Sequence, residues 1–280
     1  MKKLICLLLA LMLSVLAAAA EEEKTYDVWT MEKLTGTSWN MDLDGDGTAE
    51  TAYITYDLNE YGDGAFTLTV NGQSVKTDGC SSLYTDVYAM KAGTMYYYYG
   101  TLLFVSEYGM SDDLMTYCFF YTDGKLMDAG RIPDIAANFI VSPDGIITVS
   151  EHARHIGTWY YPSEYMLARG LFYNEEDFDE VYAMCKIPRD NYPMGMIVKS
   201  RVELQLLASR FDIAPSLRIP ADTQVILSSS DDAAWLCVSS MDGVTIGYLR
   251  MSSIEYMDYL NIGGKVLPVD DVFDGIFYAD

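Results

Sequence analysis

The chain has 280 residues, of which 41 are acidic and 18 basic, so its formal net charge at pH 7 is −23. So acidic a chain disfavours binding to nucleic acid or to an anionic membrane through a basic surface, because phosphate contacts need lysine and arginine. The length is sufficient for one large domain or two smaller ones, each with a buried core.

The first 20 residues have the pattern of a secretory signal peptide. Two lysines precede an apolar run over residues 4–16, and small residues at 18–20 form a cleavage site before Glu21. We therefore expect a mature chain that begins at Glu21 and is secreted, either extracellular or associated with the cell wall. No later stretch is long and apolar enough to predict a transmembrane segment once the signal is removed.

The segment 42–50 reads DLDGDGTAE and is the most informative motif in the chain. Carboxylates at positions 1, 3, 5 and 9 and a backbone carbonyl at position 7 are oxygen ligands of the kind that calcium prefers. Gly47 stands at position 6, where the loop turns sharply and a Cβ would obstruct it. The spacing predicts a structural Ca²⁺ site, with five donor residues: Asp42, Asp44, Asp46, Thr48 and Glu50.

Runs of aromatic and β-branched residues between turn signals predict an antiparallel all-β domain in the first part of the chain. The predicted strands are 52–56, 65–70, 73–75, 95–99, 101–105, 116–121, 139–141 and 146–149. Asn71-Gly72 is a two-residue hairpin signal, and further turns are expected at 122–125 and 142–145. Residues 158–161 and 165–167 predict one more hairpin.

The acidic run 174–180, followed by Pro188 and Pro193, indicates a domain boundary. A solvated loop within one domain is the alternative. We therefore divide the mature chain into domains at 21–185 and 186–280. The second domain is expected to contain strands at 202–207, 223–227, 235–238 and 245–249, a short helix at 255–260 and a docked tail at 270–273.

The 42–50 segment resembles the D-x-D-x-D-G-x-x-[DE] loop of FG-GAP and VCBS-type repeats, the calcium-bearing hairpins of integrin-like β-propellers. The resemblance implies Ca²⁺ held by the five donors above and a strand that starts near Thr51. It implies a small propeller-like domain or a curved antiparallel meander over 21–185. An EF-hand matches less well, because position 12 is Tyr53 and no amphipathic helix flanks the loop.

Residues 199–251 resemble a bacterial SH3-type domain, the small barrel attached to many secreted cell-wall proteins. The resemblance rests on four features: the run 219–225, Trp235-x-x-Val238, Asp242-Gly243 and Gly247-Tyr248-Leu249, with Tyr248 where the family usually has Trp. It implies an SH3-type β-barrel within 186–280 that binds peptidoglycan stems or other wall polymers. Trp235 and Tyr248 are the expected ligand-binding residues. The two-part arrangement is similar to uncharacterised secreted proteins of Firmicutes-type bacteria.

These features favour a non-catalytic binding protein that acts at the cell envelope or on extracellular polymers. No G-x-S-x-G, S-x-x-K or H-E-x-x-H pattern is present. A cell-wall or glycan hydrolase with paired carboxylates is the main alternative, and a protein that binds a surface protein is another. One hypothesis is a zinc site formed by His152, His155 and Glu151. The alternative is that His152 and His155 are ordinary turn histidines.

The predicted mature chain contains Cys80, Cys118, Cys185 and Cys237. Their wide spacing matches no metal-site pattern, and each lies among apolar or aromatic neighbours. We interpret them as small buried hydrophobic residues, although export would also permit disulfides.

Overall fold

The computed structural model describes residues 29–92, 100–109, 114–173, 178–254 and 257–278. The described chain is mostly β with almost no helix, and it includes a sheet curled into a half-barrel, so the predicted mostly-β class is confirmed. In these ranges no helix has the length and apolar character to cross a membrane. The predicted signal peptide and the predicted strand 95–99 lie outside the described residues.

The first part of the chain forms three antiparallel sheets. Its strands are β1 (Met31–Leu34), β2 (Ser38–Met41), β3 (Glu50–Leu58), β4 (Gly64–Val70), β5 (Gln73–Cys80), β6 (Leu83–Ala92), β7 (Gly100–Tyr108), β8 (Leu114–Thr122), β9 (Lys125–Pro133), β10 (Ile140–Val141), β11 (Ile147–His152), β12 (Tyr160–Tyr173) and β13 (Phe178–Lys186). The first sheet has the order β2-β3-β4-β5, the middle sheet β1-β6-β7-β8-β9, and the third sheet β10-β11-β12-β13. A short 3-10 helix (Ala136–Asn138) precedes β10.

The middle sheet is packed on both faces. Leu103 and Phe119 belong to the apolar core shared with the first sheet, whereas Phe104 and Phe120 belong to the core shared with the third sheet. Strands β7 and β8 are therefore buried along most of their length. Burial of both faces explains why these two segments read as continuous apolar runs rather than as alternating patterns.

The predicted hairpin over 158–167 is wrong, because β12 is one continuous strand. It pairs with β11 from Tyr160 onwards, and its pairing with β13 begins only at Tyr165. Pro162 reads as a turn signal in the sequence, but it faces only Ser150 of β11. Proline cannot donate a backbone hydrogen bond, and a position with a neighbouring strand on one side only needs none on the other side.

The second part forms a seven-stranded sheet, a two-stranded sheet and a short helix. Its elements are β14 (Tyr192–Ser200), β15 (Leu204–Leu206), β16 (Leu217–Ile219), β17 (Gln224–Ser230), β18 (Trp235–Ser240), β19 (Ile246–Ile254), β20 (Met257–Ile262), β21 (Lys265–Pro268), α1 (Val269–Val272) and β22 (Phe273–Asp274). The large sheet has the order β21-β20-β19-β18-β17-β14-β22, and β15 pairs with β16. One apolar core joins residues of all these strands and of α1.

The helix predicted at 255–260 is wrong over its described part, because β20 is a strand between β19 and β21. Leu260 and Ile262 are buried, and Asn261 between them is exposed, so this segment has the two-residue period of a sheet. The docked tail is present as expected: Val272 and Phe273 are buried, and β22 pairs with β14.

The four described cysteines are free thiols. Cys80, Cys118 and Cys237 are buried, as we predicted, and burial raises the pKa of the Cys118 thiol well above its ordinary value. Cys185 is exposed, so the prediction of a buried position is wrong for this residue. It lies on β13, where side chains alternate between the two faces of the strand.

The loop between β11 and β12 joins the two parts of the chain. The Asp232 carboxylate accepts hydrogen bonds from the backbone N–H groups of Arg154, at 2.9 and 3.0 Å, and His155, at 3.1 Å. Asp258 accepts from the N–H of Ile156 at 2.7 Å and lies 2.8 Å from Nδ1 of His155. Two aspartates of the large sheet therefore bind one loop of the third sheet.

The pKa values of His155 and Asp258 at this junction shift in opposite directions. The hydrogen bond with Asp258 raises the pKa of His155. Burial acts to raise the pKa of Asp258, but the hydrogen bond and charge of His155 outweigh it, so that pKa is lowered. The pKa of Asp232 is raised by burial. The shifts of His155 and Asp258 both favour the charged forms, so their ion pair stabilises the contact between the β11–β12 loop and the large sheet.

We predict that His155→Gln lowers the melting temperature mainly at mildly acidic pH. The stability from protonated His155 is fully present below its ordinary pKa of 6.5 and is lost as the pH rises through the raised value. The stability from ionised Asp258 is present above 3.8 and is lost as the pH falls through the lowered value. The loss at about pH 5.5 should be about 2–4 °C, which roughly 1 kcal/mol produces at this size.

The measurement is thermal unfolding followed by circular dichroism from about pH 4 to about pH 9. His152→Gln is the matched control, since His152 is exposed and its change should leave the curve unaltered. An equal loss from His155→Gln at every pH would contradict the ion pair.

Candidate functional site

Three carboxylates converge in the loop between β2 and β3. One oxygen each of Asp42, Asp44 and Glu50 lies within 4.8 Å of the others. Gly45 and Gly47 turn the chain between them with φ of 77° and 88°, values that a side chain rarely adopts. The sequence therefore folds locally so that positions 1, 3 and 9 of the predicted loop meet.

Backbone amides hold this loop in shape. Asp42 accepts from the N–H of Gly45 at 2.7 Å and of Gly47 at 3.1 Å through its two oxygens. Glu50 accepts from the N–H of Leu43 at 2.6 Å through Oε2. Leu43 itself is buried in the core between the first and middle sheets, so the loop is fixed to the interior at its second residue.

The donor set fits a hard cation. Three carboxylate oxygens at this separation repel one another, and Glu50 is only 3% exposed, so water screens its charge poorly. Oxygen ligands on a loop rich in glycine suit Ca²⁺. Asp42, Asp44 and Glu50 would hold such an ion, which would offset their mutual repulsion.

Asp46, the fourth predicted carboxylate donor, lies outside this group of three. It is exposed, and its Oδ1 accepts from the N–H of Thr48 at 2.6 Å. The structure therefore brings together three of the four carboxylates that the sequence singles out. Spacing along the chain cannot distinguish a side chain that turns towards its own backbone from one that turns inward.

The loop is also bound to the middle sheet. Oδ2 of Asp44 accepts from the N–H of Gly124, in the β8–β9 turn, at 3.1 Å. Thr101 of β7 donates its hydroxyl to the carbonyl of Leu43 at 2.7 Å. The sequence analysis missed both partners. Gly124 is 80 positions from Asp44 and Thr101 is 58 positions from Leu43, and contacts between such distant residues leave no local pattern.

A third turn meets the same end of the two sheets. The Asn71 side chain accepts from the N–H of Thr51 at 3.0 Å and donates to the hydroxyl of Tyr121 at 3.4 Å. Burial, followed by the nearby charges of Glu50 and Asp44, raises the pKa of Tyr121. The cluster therefore lies where the turn after β4 and the turn after β8 approach the β2–β3 loop.

The two histidines do not form a metal site with Glu151. His155 pairs with Asp258, as described above, and the ring of His152 lies 5.1 Å from that of Tyr160. Glu151 pairs instead with Lys186, at 2.8 Å. Within the described ranges, Asp42, Asp44 and Glu50 form the only group of three or more His, Cys, Asp or Glu residues whose ligand atoms lie within 4.8 Å of one another.

Trp235 and Tyr248, the predicted ligand-binding residues, lie on one face of the large sheet. Trp235 is opposite Arg250 in the β18–β19 register, and Tyr248 is two residues before Arg250 on β19. The Arg250 guanidinium lies 5.2 Å from the Trp235 ring, and that of Arg210 lies 5.5 Å from the Tyr248 ring. Both aromatic side chains are half-buried beneath cations.

A strongly exposed apolar loop flanks this face. Phe211 is 93% exposed and Ile213 96% exposed, although both residue types usually avoid water. Ile213 also lines a small cavity of about 120 Å³ together with Tyr248 and Arg250. We call the set Arg210, Phe211, Ile213, Trp235, Tyr248 and Arg250 the barrel face.

Comparison with known proteins identifies no relative: no family model, no curated protein and no solved structure matches the chain.

We predict that Ca²⁺ raises the melting temperature and that Asp44→Asn abolishes this rise. For a dissociation constant of about 0.1–1 mM, about 10 mM Ca²⁺ should add about 1.4–2.7 kcal/mol. Asp44→Asn removes one charge of the three-carboxylate cluster while keeping the shape of the side chain. The measurement is thermal unfolding in Ca²⁺ and in chelator.

Asp46→Asn is the matched control, because it changes the same residue type in the same loop but outside the cluster. It should retain most of the Ca²⁺ response. An equal loss in both variants would favour the five-donor loop predicted from the sequence, and an unchanged response in Asp44→Asn would remove the cluster as the site.

Proposed function

We propose that this is a secreted, calcium-stabilised binding protein that acts without catalysis at the cell envelope or on extracellular polymers. The barrel face is the binding surface, and its ligand is peptidoglycan or another extracellular polymer, or a surface protein. The carrying observation is the full exposure of Phe211 and Ile213 beside Tyr248. Apolar side chains held out in water beside half-buried aromatics are typical of binding surfaces.

The chemistry of the barrel face agrees with a polymer that has both apolar and anionic groups. Arg210 and Arg250 place two positive charges over Tyr248 and Trp235, in a chain whose formal net charge is −23. A guanidinium can bind a carboxylate with two parallel hydrogen bonds. The exposed apolar loop would pack against the uncharged part of the same ligand.

Calcium has a structural role in this proposal. The Asp42, Asp44 and Glu50 cluster lies where the first and middle sheets meet, far along the chain from the barrel face. A bound cation would therefore stabilise the folded β framework rather than contact the ligand.

The alternative is a glycan hydrolase, favoured by one specific observation. Glu107, Asp134 and Glu151 line a common cleft between the middle and third sheets. Hydrolysis needs a carboxylic acid that stays protonated near neutral pH. Burial acts to raise the pKa of Glu151, but hydrogen bonding and the charge of Lys186 outweigh it and lower the pKa. This lowered pKa disfavours Glu151 as the general acid, whereas an ionised Glu151 would still suit the role of nucleophile or base.

We predict that Phe211→Ser combined with Ile213→Ser reduces co-sedimentation of residues 21–280 with purified cell-wall sacculi. The bound fraction should fall at least about five-fold, because exposed apolar anchors in a small interface carry much of the binding energy. Both side chains are almost fully exposed, so folding should be unaffected. The assay is run in millimolar Ca²⁺ and again in chelator.

Tyr61→Ala is the control, because Tyr61 is 73% exposed and lies in the β3–β4 turn. It should bind as the unaltered protein does. Undiminished binding by the double variant would exclude the barrel face. Release of soluble sugar or peptide from the sacculi would favour the hydrolase.

A further inference from the structure

We propose that the cleft between the middle and third sheets is a second binding site, for a neutral oligosaccharide. The cleft has a volume of about 930 Å³, within the upper range of small-ligand sites. It is lined by the ends of β7, β8 and β9 on one side and by β11 and β12 on the other. It is separate from the barrel face and does not depend on the function proposed for that face.

A neighbouring depression borders the cleft. The second cavity has a volume of about 370 Å³ and shares Asp134, Ser150 and Tyr160 with the first. Ile140, 70% exposed, lies at its far side. We call these two adjacent cavities the groove; together they offer room for a linear chain of rings rather than for a single compact molecule.

The floor of the groove presents carboxylates that are held in place. Oε2 of Glu107 accepts from the hydroxyl of Tyr117 at 3.0 Å and from the N–H of Ser81 at 3.1 Å. Oε2 of Glu151 accepts from the hydroxyl of Tyr165 at 3.1 Å and faces Lys186. Oε1 of Glu107 takes no part in these bonds, and a carboxylate oxygen is a strong acceptor for a hydroxyl.

Asp134 marks the point where the two cavities meet. It is 3% exposed, and its carboxylate accepts from the N–H of Ile135, the side chain of Asn138 and the N–H of Ser150. Its φ of 119° is in the region that favours glycine. A strained residue retained by several hydrogen bonds is typical of a functional site.

The rim supplies donors and a stacking surface. Arg131 and Arg154 line the cleft, and both are exposed. Tyr160 is 49% exposed, and its ring lies 5.1 Å from that of His152, tilted by 33°. An aromatic pair of this kind offers a flat apolar surface beside polar groups, which matches the apolar face and hydroxyl edge of a sugar ring.

The charges in the groove select for a neutral ligand. The negative charges of Glu107, Asp134 and Glu151 are balanced by the positive charges of Arg131, Arg154 and the adjacent Lys186. A polyanion would meet the three carboxylates, and a polycation would meet the three bases. A ligand that carries many hydroxyls and no charge can use both sets as hydrogen-bond partners.

The test begins with binding of the intact protein to an array of neutral and carboxylated glycans. Isothermal titration with the strongest neutral oligosaccharide follows. We expect saturable binding of neutral glycans, weakened at least about ten-fold by Tyr160→Ala and by Glu107→Gln, since each removes one strong contact. Tyr53→Ala and Glu60→Gln are matched controls, because both residues are exposed and lie on or beside β3.

The Phe211→Ser and Ile213→Ser double variant separates this inference from the function proposed above. Its titration with the neutral oligosaccharide should be unchanged, whatever its binding to sacculi. Binding of no neutral glycan, binding of carboxylated glycans alone, or full binding by Tyr160→Ala would each overturn the groove as a neutral saccharide site.

Discussion

Burial of the middle sheet on both faces is the constraint on which the other features depend. Its two central strands are buried along most of their length, and two separate apolar cores meet there. The β8–β9 hairpin crosses this sheet from one end to the other. Its turn, at Gly124, anchors Asp44 of the cation cluster, and its opposite end supplies Arg131 and Asp134 to the groove. The β8–β9 hairpin therefore contributes to both the cation cluster and the groove.

Folding brings three negatively charged side chains close together at the start of β3. Glu50 begins β3, and β3 must be buried on its inner face to complete the core of the first sheet. This brings Glu50 within 4.8 Å of Asp42 and Asp44. A cation would offset the resulting repulsion at the point where three turns meet, so binding of an ion would couple to the packing of the first sheet on the middle sheet.

The second part of the chain is joined to the first through apolar as well as polar contacts: Ile156 lies in the core of the large sheet, and Trp159 and Tyr161 pack with Tyr192. Asp232 and Asp258 accept hydrogen bonds from three N–H groups of the β11–β12 loop, those of Arg154, His155 and Ile156, and that loop continues into the wall of the groove at Tyr160. Buried carboxylates need such partners, because an isolated charge in the interior is very unfavourable. The junction therefore combines hydrogen-bonded carboxylates with buried apolar side chains.

The sequence alone determined the mostly-β class, the positions of about half of the strands and the acidic loop at 42–50, because these follow from local patterns of burial and turn chemistry. Tertiary structure decided the rest. Pro162 lies within β12 and residues 257–262 form a strand because pairing with distant strands outweighs local preference. Only the fold selected Asp42, Asp44 and Glu50 from the four carboxylates of the loop, and only the fold assembled Glu107, Asp134, Glu151 and Tyr160. Residues far apart in the chain share no local signal, so their convergence is a property of packing.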